Sequence, residues 1–198
     1  MRVRMIDGAR PPGGARMAFH LHRGGSVPLP PAAGEGRLAV RLGRRRGPDL
    51  AVGALVVDEQ GRALSDRSFV HAGRRESADG AVRLADPDGT GFTIDLALLP
   101  AEAAGVRFAA TAQVPSGPCR SVGDAQGPYV QVSLESDDES DGEDLARYEL
   151  EEDLPARSSV VIAELYRRAG GWRFRALGQD CTTDLHGIAH RHGVTVRT

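Results

Sequence analysis

Lysine is missing from this chain: its 25 basic side chains are all arginine. No physical requirement accounts for that, and it reads as the coding bias of a GC-rich genome. Cysteine is almost as scarce. Cys119 and Cys181 are the only 2 in 198 residues, too few for a disulfide framework. Aromatic residues make up just 5%, so a core must be assembled from valine, leucine, isoleucine and alanine. No apolar run approaches the roughly 18 residues of a membrane-spanning helix, which excludes a transmembrane segment of that kind. A net charge of −2 and a pI near 6.3 provide no basic field to recruit nucleic acid. With no apolar signal core near the N-terminus, a reducing cytoplasm is the expected compartment. Catalytic signatures are absent too. There is no GxSxG nucleophile turn and no glycine-rich phosphate loop between a strand and a helix, so an enzyme is not expected.

What the chain does contain is turn chemistry, with 25 glycines and 12 prolines that favour many short elements. Residues 1–16, MRVRMIDGARPPGGAR, show no periodicity and read as a disordered arm, or as an extension upstream of a start at Met17. From residue 17 to 198 a single domain is expected, built of short runs separated by turns. RLAVRLG alternates, with Leu38, Val40 and Leu42 on one face and Arg37, Ala39 and Arg41 on the other. DLAVGALVV (49–57) is apolar on both faces, as befits a covered central strand. In GWRFRALG (171–178), Trp172, Phe174 and Ala176 face one way and Arg173 and Arg175 the other, which predicts Trp172 and Phe174 in an interlayer core. One helix is predicted near the end, over 183–192. Thr183 would cap it, a stripe of Leu185, Ile188, Ala189 and His192 would pack inward, and His186 and His190 would stay wet. The fold class that follows is all-β, an antiparallel sandwich of two sheets with a short C-terminal helix.

VVDEQGRALSDRSFV, ADG, IDLALLPAEAAGVRFAA, LARYEL and AELYRRAGGWRFRALGQ, followed by the closing helix, resemble the TerD family of tellurium-resistance and stress proteins. The order and spacing agree over residues 19–196. The most specific piece is Glu164, Tyr166 and Arg167 followed by Trp172, Phe174, Ala176 and Gly178. The resemblance implies a β-sandwich that binds calcium through acidic loops and acts in tellurite resistance and general stress response, with no established catalytic residues.

Two stretches of the family supply the calcium ligands, and this chain departs at both. An Asp-x-Asp-x-Ser strand start aligns with Asp49, Ala51 and Gly53, positions that share one strand face. A Gly/Asp-rich loop aligns with ADPDGTG (85–91), which offers Asp86 and Asp88. Asp49, Asp86 and Asp88 are therefore the candidate metal ligands. Calcium takes six to eight oxygens, so a site with three carboxylates is expected to be weak or lost. Asp86 and Asp88 also suit an ordinary Asp-Pro-Asp-Gly turn. Restoring Ala51→Asp and Gly53→Ser together is expected to strengthen any calcium response.

Other clusters read as surface chemistry. The acidic run LESDDESDGED (134–144) is expected to be solvated, and Arg44, Arg45 and Arg46 to neutralise carboxylates nearby. Cys181, His186 and His190 have spacing compatible with zinc, but two histidines flanking a helix stripe explain them as well. Two functions are carried forward. One is a non-catalytic stress or tellurite-resistance protein acting through other proteins of a stress-response complex. The other is a sensor in which the same loops take calcium or a nucleotide-like ligand.

Overall fold

The structure, a computed structural model, describes residues 18–34, 36–85, 90–112, 122, 125–135, 143–150, 159–168 and 171–195. Residues 1–17, Asp86, Asp88, Cys119 and most of the acidic run lie outside that set. Twelve strands are described: β1 (Phe19–Leu21), β2 (Ser26–Pro28), β3 (Arg37–Gly43), β4 (Leu50–Val57), β5 (Phe69–Val70), β6 (Val82–Leu84), β7 (Gly91–Asp95), β8 (Gly105–Ala112), β9 (Tyr129–Leu134), β10 (Asp144–Glu149), β11 (Ser159–Arg168) and β12 (Gly171–Cys181). One helix, α1 (Leu185–Arg191), follows. The strands form two six-stranded sheets. The first runs β1-β10-β9-β3-β7-β6 and the second β2-β12-β11-β8-β4-β5.

The expected all-β sandwich is therefore observed, with one departure from antiparallel pairing. β1 joins the edge of the first sheet parallel to β10, placing Phe19 opposite Ala146 and Leu21 opposite Tyr148. A short strand, β2, also forms within what reads as a Gly/Pro-rich loop, because Val27 pairs with Phe174 at the edge of the second sheet.

Alternation decides which side chains meet between the layers. Leu38, Val40 and Leu42 from β3, Phe92 and Ile94 from β7, and Val106 and Phe108 from β8 are buried in one cluster. The Phe92 and Phe108 rings lie 5.8 Å apart at 50°, a tilted contact that locks the sheets together. Phe174 is fully buried there. Trp172, expected beside it, is only partly buried and packs against the cluster from its margin. It sits one residue inside the β12 terminus, where the sandwich opens, and the Arg167 guanidinium lies 5.0 Å from its ring centroid.

A bulge in β11 has the largest consequence. Val161 pairs with Ala109 of β8, but Ala163 pairs with Phe108, so Ile162 is an extra residue. Val160, Ile162, Ala163 and Leu165 all enter the interlayer cluster, and Val161 belongs to a separate outer one. Strict alternation would have aimed Glu164 into the core. The inserted residue reverses the phase and turns Glu164 to the outer face.

That outer cluster lies under α1. Leu55 and Val57 of β4, Phe69, Ala109, Val161 and Cys181 are covered by Leu185, Ile188, Ala189 and Val194. The helix starts one residue later than Thr183 predicts. Asp184 is the N-cap, and its carboxylate accepts from the Gly187 amide at 2.8 Å. Thr183 instead packs against the first turn: its carbonyl accepts from the Ser159 hydroxyl, its Cβ lies 2.5 Å from where a Cβ on Gly187 would be, and its hydroxyl is buried without a partner among the described residues. At the far end Gly193, at φ +89°, lets the chain turn back, and Val194 then donates to the Ala189 carbonyl at 3.1 Å.

Candidate functional site

The sequence pointed first to the start of β4. Asp49 stands just before the strand, its side chain 75% exposed and ion-paired with Arg44, whose guanidinium also donates to the Gly47 carbonyl at 3.0 Å. Ala51 and Gly53 face outward with it, but toward the α1-covered cluster. A Cβ at Gly53 would lie 2.7 Å from Cε2 of Phe69, a side chain only 2% exposed. The place of the third family ligand is thus filled by an aromatic ring. The Ser in the pair Ala51→Asp and Gly53→Ser collides with that ring, so this pair does not simply restore a site. Asp86 and Asp88 lie outside the described residues. On the described side, the fit to calcium is poor: one carboxylate bound to a guanidinium, and a ring where an oxygen is needed.

Phe69 is the first member of a stack. His71 lies on it at 4.6 Å between centroids, and His186 of α1 meets the His71 ring edge-on at 5.4 Å. His71 Nδ1 accepts from the Gly73 amide at 3.1 Å, which fixes that nitrogen unprotonated. Burial, then the neighbouring His186 and Arg74, hold His71 below its ordinary 6.5. His186 and His190 are both exposed, as expected. Cys181 is buried, and burial pushes its thiol up from the ordinary 9.0, against zinc-thiolate chemistry. Among the described residues no group of three His, Cys, Asp or Glu side chains is placed to hold a metal.

His192 ends α1 and fastens it to the turn after β4. Its Nδ1 donates to the Gly61 carbonyl at 2.5 Å, and its own carbonyl accepts from the Ala63 amide at 2.7 Å. Burial lowers its pKa from 6.5; the Gly61 carbonyl opposes this, and Arg107 and Arg191 add to it. Beside this turn a hollow of about 850 Å³ is lined by Asp58, Glu59 and Glu102 and by Arg167 and Arg168. With both signs on its walls, it selects no one charge.

The feature that sequence reasoning passed over lies on the open part of the second sheet's outer face. Arg175, Glu164 and Arg107 stand opposite one another on β12, β11 and β8. Glu164 is 5% exposed and accepts from both neighbours, from Arg107 Nε at 3.4 Å and from Arg175. In the next row, Arg173 Nε donates to Tyr166 Oη at 3.1 Å and its terminal nitrogen to Ser26 Oγ at 3.2 Å. Arg175 lies over the Tyr166 ring, 4.9 Å from its centroid. Burial by itself raises the Tyr166 phenol, but hydrogen bonds with Ser26 and Arg173 and the charges of Arg173 and Arg175 outweigh it and hold it below 10.0. The signal was present as Arg-x-Arg in one strand and Glu-x-Tyr in the next. What the alternation could not supply was the bulge that brings the two onto one face.

A family model described as the TerD domain matches residues 17–192. The chain belongs to the TerD family. It is 28% identical to a protein named Tellurium resistance protein TerD from Serratia marcescens, over 90% of this chain and 98% of that protein. It is 26% identical to General stress protein 16U of Bacillus subtilis (strain 168), over 75% of this chain and 79% of that one. A crystal structure of a TerD homologue from Streptomyces coelicolor A3(2) superposes with a TM-score of 0.59 at 19% identity, covering 81% of this chain and 99% of that one, a likeness of fold. The chain is thus a member of a tellurium-resistance and general-stress family, and no helix among its described residues is long and apolar enough to cross a membrane.

Proposed function

We propose that this protein is a non-catalytic TerD-like stress-response and tellurite-resistance protein of the cytoplasm that acts through protein partners, its calcium site weak or lost. The observation that carries the calcium part is the pairing of Asp49 with Arg44 together with the Phe69 ring at Gly53. A guanidinium in ion contact supplies in place the charge that a cation would bring. The nucleotide-like alternative at Arg44–Arg46 draws little support. Arg44 is committed to Asp49, and the nearby Tyr129 ring is already covered by Arg147.

Binding, stability and resistance measurements test this reading. Calorimetric titration with calcium is expected to show no tight binding, and millimolar calcium to raise Tm by less than about 3 °C. Stoichiometric binding at micromolar calcium would overturn the weak-or-lost reading, and its loss in Asp49→Asn would place the site there. Expression in a tellurite-sensitive bacterium is expected to raise the tolerated tellurite concentration, and unchanged tolerance counts against the resistance role. Gly53→Ser, with or without Ala51→Asp, is expected to lower stability by about 1–3 kcal/mol through overpacking.

A further inference from the structure

The open half of the second sheet's outer face carries more positive charge than it neutralises. Arg107, Arg173 and Arg175 are permanently cationic, and Glu164 is the carboxylate that pairs with them there. Glu164 is spent on Arg107 and Arg175. The hydrogen-bond partners of Arg173, Tyr166 and Ser26, are both neutral. Among the described residues, three guanidiniums against one carboxylate leave an excess charge of about +2 on adjacent strands of one face.

The donors also converge. Arg173 and Arg175 are two residues apart on β12, so their Cα atoms are about 7 Å apart and their side chains leave the same face. Tyr166 stands between them, its oxygen accepting from Arg173 and its ring beneath Arg175. With Arg173 and the Ser26 hydroxyl both donating to its oxygen, the phenol still has its own hydrogen to give. Among the described residues the Nε of Arg175 has no acceptor and is closed to solvent, so Arg175 presents its terminal nitrogens. Each guanidinium keeps N–H groups beyond those already used, in the planar fork that matches an oxyanion edge. The Tyr166 ring is already covered by Arg175, so a nucleobase has no surface to stack on, and the match is to a compact anion.

We propose that Arg173, Arg175 and the Tyr166 hydroxyl form a binding site for a small oxyanion on the outer face of the second sheet, with Glu164 and Ser26 positioning the two arginines. The occupant is a trigonal or tetrahedral oxyanion, of the chemistry shared by phosphate, sulfate and tellurite. The site itself stands on this geometry; the choice of tellurite among these anions rests on the resistance reading above.

The test is NMR titration of the full chain with sodium phosphate, sodium sulfate and sodium tellurite, each at about 0.15 M sodium chloride to screen diffuse attraction. Saturable shifts of the Arg173 and Arg175 side-chain N–H signals are expected. Arg173→Gln, which leaves Glu164 and both its partners in place, is expected to weaken binding about tenfold or more. Tyr166→Phe, which keeps the ring under Arg175, is expected to weaken it less, with the melting curve of each variant reporting that the fold persists. Absence of saturable binding for all three anions, or equal affinity in parent and Arg173→Gln, overturns the site. Preference for tellurite over the other two supports the site and the resistance reading together. Equal affinity for all three supports the site and removes its link to that reading.

Discussion

The outer face of the second sheet is divided in two, and the halves solve the same problem differently. Under α1, Leu55, Val57, Ala109 and Val161 would expose apolar surface to water, and Leu185, Ile188 and Ala189 cover it. A few residues further along the same strands, Arg107, Glu164, Tyr166, Arg173 and Arg175 need no apolar cover, because they hydrogen-bond to one another across neighbouring strands and can turn their remaining donors to water. A sheet face thus needs a second layer only where its side chains cannot hydrogen-bond to water or to one another. Coverage contributes stability; the uncovered half is where a ligand has access.

The core beneath both halves sets the scale of energies. Phe174→Ala should destabilise by about 3–5 kcal/mol in denaturant unfolding, as expected for deleting a buried aromatic. Trp172→Ala, at the open margin, should cost clearly less. Equal costs would put Trp172 back in the interlayer core.

Within the covered half, Ile188→Ala should cost about 2–4 kcal/mol, and amide exchange along α1 should accelerate with it. A variant as stable as the parent would mean that α1 does not hold the apolar half.

The open half should respond to Glu164→Gln with a loss of about 1–3 kcal/mol. That is less than for a fully enclosed pair, because the side chains of Arg107 and Arg175 are 31% and 42% exposed and water screens them. Added salt should shrink this difference, whereas the Ile188→Ala difference should be insensitive to salt. Opposite salt responses would break the distinction between the halves.

The smallest effect is in pH. His71 and His192 both have folded-state pKa values below 6.5, with burial the first cause in each. The unfolded chain therefore takes up protons first as pH falls through about 6.5, and stability declines from there until the folded histidines are also protonated. Both side chains border the covered half. The decline should appear in melts recorded between about pH 7.5 and pH 5 and should diminish in His71→Gln. A variant that loses as much as the parent would remove His71 from the effect.

Much of this was legible in the chain. Alternation placed Leu38, Val40, Phe174 and the two arginines of β12 on their correct sides, because side-chain direction in a strand is a local property with period two. The helix stripe of Leu185, Ile188, Ala189 and His192 was visible for the same reason, at helical period. The motifs in Glu164–Gly178 were enough to indicate the family. Its cap was misplaced by one residue, since both Thr183 and Asp184 suit an N-cap, and the choice depends on Ser159 and Gly187 packing around Thr183. Only the tertiary structure decided that Phe69 fills the space at Gly53 and that β1 pairs parallel with β10. It alone also decided that the bulge at Ile162 turns Glu164 outward to meet Arg107 and Arg175. The physical reason is common to all three. Each depends on which strand lies alongside and in what register, and that is settled by long-range pairing that no local pattern records.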